Sequence, residues 1–407
     1  MSTGCLYQYL NCSILRAGQL QREDLWVRNG KIMNPEVLFF VEKVTADVKI
    51  DCKGLIISPG FIDVQINGGF GCDFSTDSDP EKALETVAKG LLSQGVTSFC
   101  PTVITCPSEY YHKVLPLIKK RDGSKKGAGI LGIHVEGPFI SKEKKGAHPE
   151  QLIKDFDGGF KDVLETYGDL SNVSLVTLAP EKSNAKEVIE EFCKRGIVVS
   201  VGHSMANLAQ GEAAVTSGAR FITHLFNAML PFHHRDPHLV GLLTSEKLPH
   251  NRKVYYGMIA DGIHTHPAAL RIAHRVNPSG IVLVTDAIRA MGFPPGEYPF
   301  GEITIEIKGN QSLLKGSNTL AGSIATMDFC VRHFAKETSC GSVLALEAAT
   351  LHPAQMLGIE DRKGTLDFGA DADFIMLDDE LNVQATYIAG ECVYTKPPQS
   401  LSEQLMT

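Results

Sequence analysis

No apolar run in the 407-residue sequence approaches the roughly 18 to 20 uninterrupted residues that cross a bilayer, so no membrane is expected as partner. The opening Met1-Ser-Thr-Gly-Cys-Leu-Tyr7 lacks the basic n-region and apolar h-region of a secretion signal, and a cytoplasmic address is the simplest expectation. Ten cysteines lie scattered from Cys5 to Cys392 without one C-x-x-C pair. That removes thiolate zinc knuckles and thioredoxin-type redox motifs and leaves reduced thiols acting as small apolar residues. A basic block is missing too: 47 acidic against 39 basic side chains give a net charge of −8, which offers nucleic acid no footprint. An anionic small substrate would need its own local Arg or His.

Aromatics are sparse at 7%, but 43% of the residues are hydrophobic and 21% charged, enough apolar material for a large globular core. At roughly 100 to 200 residues per domain, the length allows two or three domains, or one large barrel with a smaller unit attached. Eight short apolar, β-branched runs fall in the middle of the chain: Leu55 to Ile66, Val96 to Ile104, Ile130 to Val135, Val173 to Leu178, Ile197 to Val201, Phe221 to Leu225, Val254 to Ile259 and Ile281 to Val284. Between them, segments such as Pro80 to Gln94 and Asn184 to Arg195 carry the apolar spacing of amphipathic helices. Eight β/α units predict a (β/α)8 TIM barrel; an open doubly wound sheet is the competing architecture. Polar residues favour the barrel. Gln65 and Asn67, Thr102, Glu136, His203, His224, Asp261 and Asp286 each end one of these runs, where a barrel gathers its active site.

The flanks read as strands: Leu25 to Val27, Val37 to Val41 and Val48 to Ile50 before the barrel, Gly364 to Leu366, Ala372 to Leu377 and Val383 to Val393 after it. Neither end could bury a core alone, so residues 1–54 and 362–407 are expected to form one small β-sandwich domain beside a barrel domain over 55–361. Ile303 to Ile307 and Ser312 to Leu314, joined across Gly309-Asn310, predict a hairpin. Helices are expected over Thr326 to Lys336 and Val343 to Leu357.

The chemistry sits at the ends of the apolar runs. In Gly132-Ile-His-Val-Glu-Gly-Pro-Phe139 the Gly-Pro pair stops a strand and exposes Glu136; Val199-Ser-Val-Gly-His-Ser204 does the same for His203, and Phe221-Ile-Thr-His224 for His224. A lone histidine after an apolar run is more often a hydrogen-bonded core residue. Two imidazoles and a carboxylate with an open fourth position are the usual catalytic zinc set, with iron, manganese or cobalt as alternatives. Asp286 ends the eighth run; an Asp there could simply cap a helix, but beside a metal it becomes the natural general base. His148, in Lys145-Gly-Ala-His-Pro149, could polarise a carbonyl or stabilise an oxyanion. Asn227, Arg235 and His264 are fit donors for a phosphate, although Arg235 could equally be a surface ion-pair residue. His233, His234, His238 and His266 read as rim residues. Gly68-Gly-Phe-Gly71 fails the spacing of a nucleotide-binding loop and is expected to be a mobile loop over the mouth.

Six ordered motifs carry a resemblance: Ser58-Pro-Gly-Phe-Ile-Asp-Val-Gln-Ile-Asn-Gly68, Ile133-His-Val-Glu-Gly-Pro-Phe139, Val201-Gly-His-Ser204, Thr223-His-Leu-Phe-Asn-Ala-Met229, Ala260-Asp-Gly-Ile-His264 and Val284-Thr-Asp-Ala287. Together they resemble the N-acetylglucosamine-6-phosphate deacetylase family of the amidohydrolase superfamily. The resemblance implies a homodimeric barrel enzyme, a phosphosugar substrate, and hydrolysis of its acetamide in amino-sugar salvage. It implies metal ligation by Glu136, His203 and His224, Asp286 as acid/base and His148 as oxyanion stabiliser. Substrate contacts would come from Ala147, His148, Asn227, Ala228, Arg235, the turn Asp261, Gly262, Ile263, His264, and the segment Leu320, Ala321, Gly322. One departure matters: where many amidohydrolases carry His-x-His after the first strand, this chain has Gln65 and Asn67. Amides are poor zinc ligands, so one divalent ion per subunit, Zn²⁺ by preference, is expected. A cyclic-amide amidohydrolase and a non-catalytic barrel scaffold are the rival readings.

Overall fold

The computed structural model describes residues 4–250, 252–301 and 303–398. Eight parallel strands pair in chain order: β1 (Phe61–Ile66), β2 (Val96–Ile104), β3 (Ile133–Glu136), β4 (Val173–Leu178), β5 (Val198–Val201), β6 (Phe221–Ile222), β7 (Tyr255–Ile259) and β8 (Ile281–Val284). The ring is nearly closed. At the mouth, Asp286 donates its backbone N–H to the Gln65 carbonyl at 2.8 Å, and Thr285 donates its hydroxyl to Asp63 at 2.6 Å. Inside, Ile62, Cys100, Leu175, Val198, Phe221, Tyr255 and Val282 pack against one another, so the barrel is filled rather than hollow. Met356 and Ala354, from a helix over Leu351–Leu357, join that cluster and plug the end opposite the site.

The helices form because their apolar residues recur every three or four positions. In α1 (Pro80–Leu91) this buries Ala83, Leu84, Val87, Ala88 and Leu91 against the barrel's outer face. Asp79 caps its start by accepting from the Lys82 N–H, and Pro80 fills the first position, where no N–H is needed.

Both chain ends build strand-rich sheets beside the barrel. One has the order Lys31–Ile32, Leu25–Arg28, Leu6–Leu10, Val48–Asp51; the other runs Glu391–Thr395, Val383–Ile388, Phe374–Leu377, Ile56–Pro59, Ser13–Arg16, Gln19–Gln21. They share a core of Tyr9, Ile14, Leu25, Val27, Ile57, Phe374 and Tyr387, in which the Tyr9 ring meets Phe374 edge-on at 5.2 Å.

Several expectations change. The run Leu55 to Ile66 is two strands: Ile56–Pro59 pairs with the terminal strand Phe374–Leu377, and only Phe61–Ile66 enters the barrel. Gly60 makes the crossing, and a side chain there would meet the Thr97 side chain at 2.2 Å. Val37 to Val41 is no strand but a wide helical turn over Val37–Glu42, held by the burial of Leu38 with Trp26 and Leu6. Val343 to Leu357 is broken into helices at Gly341–Glu347 and Leu351–Leu357. The hairpin exists as Ile303–Lys308 with Gln311–Leu314, extended by Gly296–Phe300 and Leu320–Gly322 into a four-stranded sheet. Gly68-Gly69 pairs with Cys72-Asp73 and is tied down: the Phe70 and Gly71 N–H groups bond to Met291 and Arg289 carbonyls at 2.7 and 2.8 Å. Arg289 also holds Asp77 at 2.8 Å. Among the described residues no helix is long and apolar enough to cross a membrane, and no disulfide joins the ten cysteines.

Candidate metal and catalytic site

The mouth brings together Glu136, His203, His224 and Asp286 from four strand ends. Glu136 is the last residue of β3, while His203 and His224 follow β5 and β6 with φ of +47° and +27°; Asp286, after β8, has φ +47°. Positive φ is uncommon outside glycine and costs of order 1–3 kcal/mol at each residue, a strain characteristic of functional sites. Here it turns three polar side chains at the point where their strands end.

Glu136 Oε1 lies 2.9 Å from His203 Nε2 and 3.2 Å from His224 Nε2, and the two nitrogens are 3.0 Å apart. All three residues are buried. These separations are near the ~3.3 Å between ligand atoms around a tetrahedral ion with bonds of 2.0–2.1 Å. His203 Nδ1 lies 2.7 Å from the Lys144 carbonyl, which can only accept. The proton therefore sits on Nδ1 and the Nε2 lone pair is free to ligate. Burial opposes a charge on Glu136, but His203 and His224 outweigh it and hold its carboxyl well below the usual range. Nitrogen and oxygen donors of this kind fit a divalent metal.

Around this triad sit the other candidates. Burial, reinforced by the charge of Glu136, pushes the Asp286 carboxyl up to about 6. Asn67 donates to Asp286 Oδ1 at 2.7 Å, and Gln65 donates to Glu136 Oε2 at 3.2 Å. The His148 ring packs on His203 with centroids 4.6 Å apart, its Nδ1 2.7 Å from the Thr105 hydroxyl; burial, then His203, push it down to about 3, so it is neutral. Gly137 must be glycine: its φ is +75°, and a Cβ would meet Thr105 Oγ1 at 2.3 Å.

Asp261 organises its turn by accepting from the Ile263 and His264 N–H groups at 2.8 Å each and from His264 Nδ1 at 2.6 Å. Burial disfavours the charged His264 ring, but Asp261 raises it overall. Gly262 lies between them in that turn with φ +75°. Ala228 accepts from the Ser204 N–H, and Asn227 is half-buried beside it. The Leu320–Gly322 strand leads into Ser323, which pairs with Ala287 next to Asp286. Ala147 is an exposed neighbour of His148. Arg235 is exposed on the loop after β6, and its guanidinium has no partner among the described residues.

Sequence reasoning missed the layer beneath. His134 Nε2 lies 2.7 Å from the Thr177 hydroxyl, Thr177 2.7 Å from Thr223, and Thr223 2.5 Å from Ser200, forming a buried hydroxyl chain under the triad. Isolated polar residues inside otherwise apolar strands were its sequence signal.

The chain matches the Amidohydrolase family over residues 56–393. It is 61% identical over 398 residues to an N-acetylglucosamine-6-phosphate deacetylase from Danio rerio, covering 97% of this chain and 98% of the relative. The relative of that name in Homo sapiens is 60% identical over 389 residues, 95% of each chain. Among solved structures, N-acetylglucosamine-6-phosphate deacetylase from Pasteurella multocida superposes with a TM-score of 0.82 at 30% identity, covering 96% of this chain and all of that one. By sequence and by fold, the chain belongs to the amidohydrolase family.

Proposed function

We propose that this chain hydrolyses the acetamide of N-acetyl-D-glucosamine 6-phosphate to D-glucosamine 6-phosphate and acetate in amino-sugar metabolism. The observation that carries the reading is the convergence of Glu136, His203 and His224 within hydrogen-bonding distance of one another, near an Asp286 whose carboxyl burial has raised. The relatives' names supply the substrate. They speak against the cyclic-amide and scaffold readings.

A divalent ion held by Glu136, His203 and His224, with zinc the preferred identity, would act as Lewis acid, lowering the pKa of water and polarising the acetyl carbonyl. Asp286 takes the proton of the attacking water and returns it to the sugar nitrogen as the C–N bond breaks. His148 donates from Nε2 to the developing oxyanion, because its Nδ1 accepts from Thr105. Asn227, Arg235 and His264 would bind the phosphate and sugar hydroxyls, with Ala147, Ala228, the turn at 261–263 and residues 320–322 shaping the pocket. With Gln65 and Asn67 engaged on carboxylates, one ion per subunit is expected. A homodimer, a cytoplasmic address and the division into a terminal domain and a barrel domain complete the proposal, with the expected boundary at 54/55 moved past Pro59 because Ile56–Pro59 pairs in the terminal sheet.

Acetate release is measured from N-acetylglucosamine 6-phosphate and from N-acetylglucosamine, each with and without chelator. Rapid, chelator-sensitive release from the phosphorylated sugar alone is expected. Equal rates on both sugars would refute phosphate recognition, and no release from either would refute the activity.

A further inference from the structure

Gln65 and Asn67 stand where an amide has no obvious business. Both are rooted in the closing seam of the barrel: the Gln65 carbonyl accepts the Asp286 N–H, and the Asn67 N–H bonds to the Ala287 carbonyl, each at 2.8 Å. Their side chains diverge from that seam to two different carboxylates. Gln65 Nε2 reaches Glu136 Oε2 at 3.2 Å, on the oxygen that His203 and His224 leave free, since both of those sit on Oε1. Asn67 Nδ2 reaches Asp286 Oδ1 at 2.7 Å.

The amide orientation is forced. Turned over, each would set a carbonyl oxygen against a carboxylate oxygen, two acceptors with no proton between them. The orientation leaves Gln65 Oε1 and Asn67 Oδ1 buried with no partner among the described residues. An apolar side chain at either position would avoid those orphaned acceptors, so packing alone does not explain the amides. A neutral N–H donor fixes a carboxylate's rotation without adding a charge and without competing for the ion.

Building on the function proposed above, we propose that Gln65 and Asn67 are positioning residues with separate duties: Gln65 locks Glu136 for metal binding, and Asn67 locks Asp286 for proton transfer. The two duties are separable because the two bonds end on different carboxylates.

The test compares the intact protein with Gln65→Met and Asn67→Leu, and with Gln65→Ala and Asn67→Ala in case the larger side chains disturb packing. Zn²⁺ affinity is read by competition with a chromogenic chelator, and kcat and KM are read at saturating metal. Gln65 variants should bind Zn²⁺ about 10–100-fold more weakly, the usual cost of losing a partner behind a metal ligand, and recover kcat once loaded. Asn67 variants should keep Zn²⁺ affinity and KM but lose about 10–100-fold in kcat, an effect a general loss of structure would not confine to kcat. Unchanged affinity in the Gln65 variants, or weakened affinity in the Asn67 variants, would overturn the proposal. The affinity arm needs no substrate, so inactivity of the intact protein on the phosphosugar would sink the proposed function and leave the Gln65 arm standing.

Discussion

The hydroxyl of Thr105 lies 2.7 Å from Nδ1 of His148, and the Thr105 backbone N–H approaches the same nitrogen at 3.4 Å. An N–H can only donate, so Nδ1 accepts and the ring proton is on Nε2. Thr105→Val removes the side-chain half of this arrangement and lets the ring turn or change tautomer. A fall in kcat of about tenfold with little change in KM is expected, and about 100-fold or more for His148→Ala, the scale of losing one oxyanion donor. Thr105→Ser should restore the rate. Steady-state kinetics on the three variants check this; a rise in KM alone would point to substrate binding instead.

Asp286 makes the rate depend on pH. Burial first, then the nearby charge of Glu136, raise its carboxyl from the ordinary aspartate range to about 6. A base works ionised, so kcat should fall as pH drops through that value. A bound cation nearby favours the ionised form, which places the acid limb of the loaded enzyme at or below about pH 6. Asp286→Asn should abolish that limb and cost about 100-fold or more in kcat while metal stays bound. An acid limb above neutrality, or near-normal turnover in the variant, would count against the role.

Most of this arrangement was readable before the structure, because a barrel strand announces itself twice, by an apolar run and by the polar residue that ends it. Glu136, His203, His224 and Asp286 each stand at such an end. The Leu55–Ile66 run hid a passage between two sheets because both halves are buried on both faces, and only the pair Pro59-Gly60 marks the boundary. Val37–Val41 has strand composition, but among the described residues no strand pairs with it. Gln65 and Asn67 were legible as missing ligands but not as holders of carboxylates, since their partners lie 71 and 219 positions away. The Lys144 carbonyl that sets the His203 tautomer was invisible, because every residue has a carbonyl.

Metal content follows from the same amides. One tightly held divalent ion per chain is expected by elemental analysis of the purified protein. Chelation should lower the melting temperature as well as abolish activity, because an ion that binds only the folded state stabilises it by mass action. Restoring Zn²⁺ should recover both. Two tightly held ions per chain would show that Gln65 or Asn67 abandons its carboxylate to ligate.

Stability has its own centre, away from the mouth. Lys363 is only 6% exposed, and its ammonium contacts Asp373 and, at 2.9 Å, Asp371; Asp371 is also held by Lys31 and Arg362. Burial works against the Lys363 charge, but Asp373 and Asp371 raise its pKa overall. Burial likewise opposes charge on Asp371, yet Lys31, Lys363 and Arg362 bring it down to about 2. Lys363→Met strands the Asp373 carboxylate and removes one of the three cations on Asp371; it should cost about 3–5 kcal/mol, the usual penalty for breaking a buried pair from one side. The signs fix the pH window. A depressed Asp371 contributes fully above its unfolded value of roughly 3.9 and loses that contribution as pH falls towards 2; a raised Lys363 contributes fully below roughly 10.4 and loses it as pH climbs through its higher folded value. Urea midpoints of the two proteins should therefore differ by a constant amount between about pH 5 and 9 and converge at both extremes. A difference that persists undiminished at pH 2 would mean that Lys363 stabilises through its methylene packing rather than through its charge.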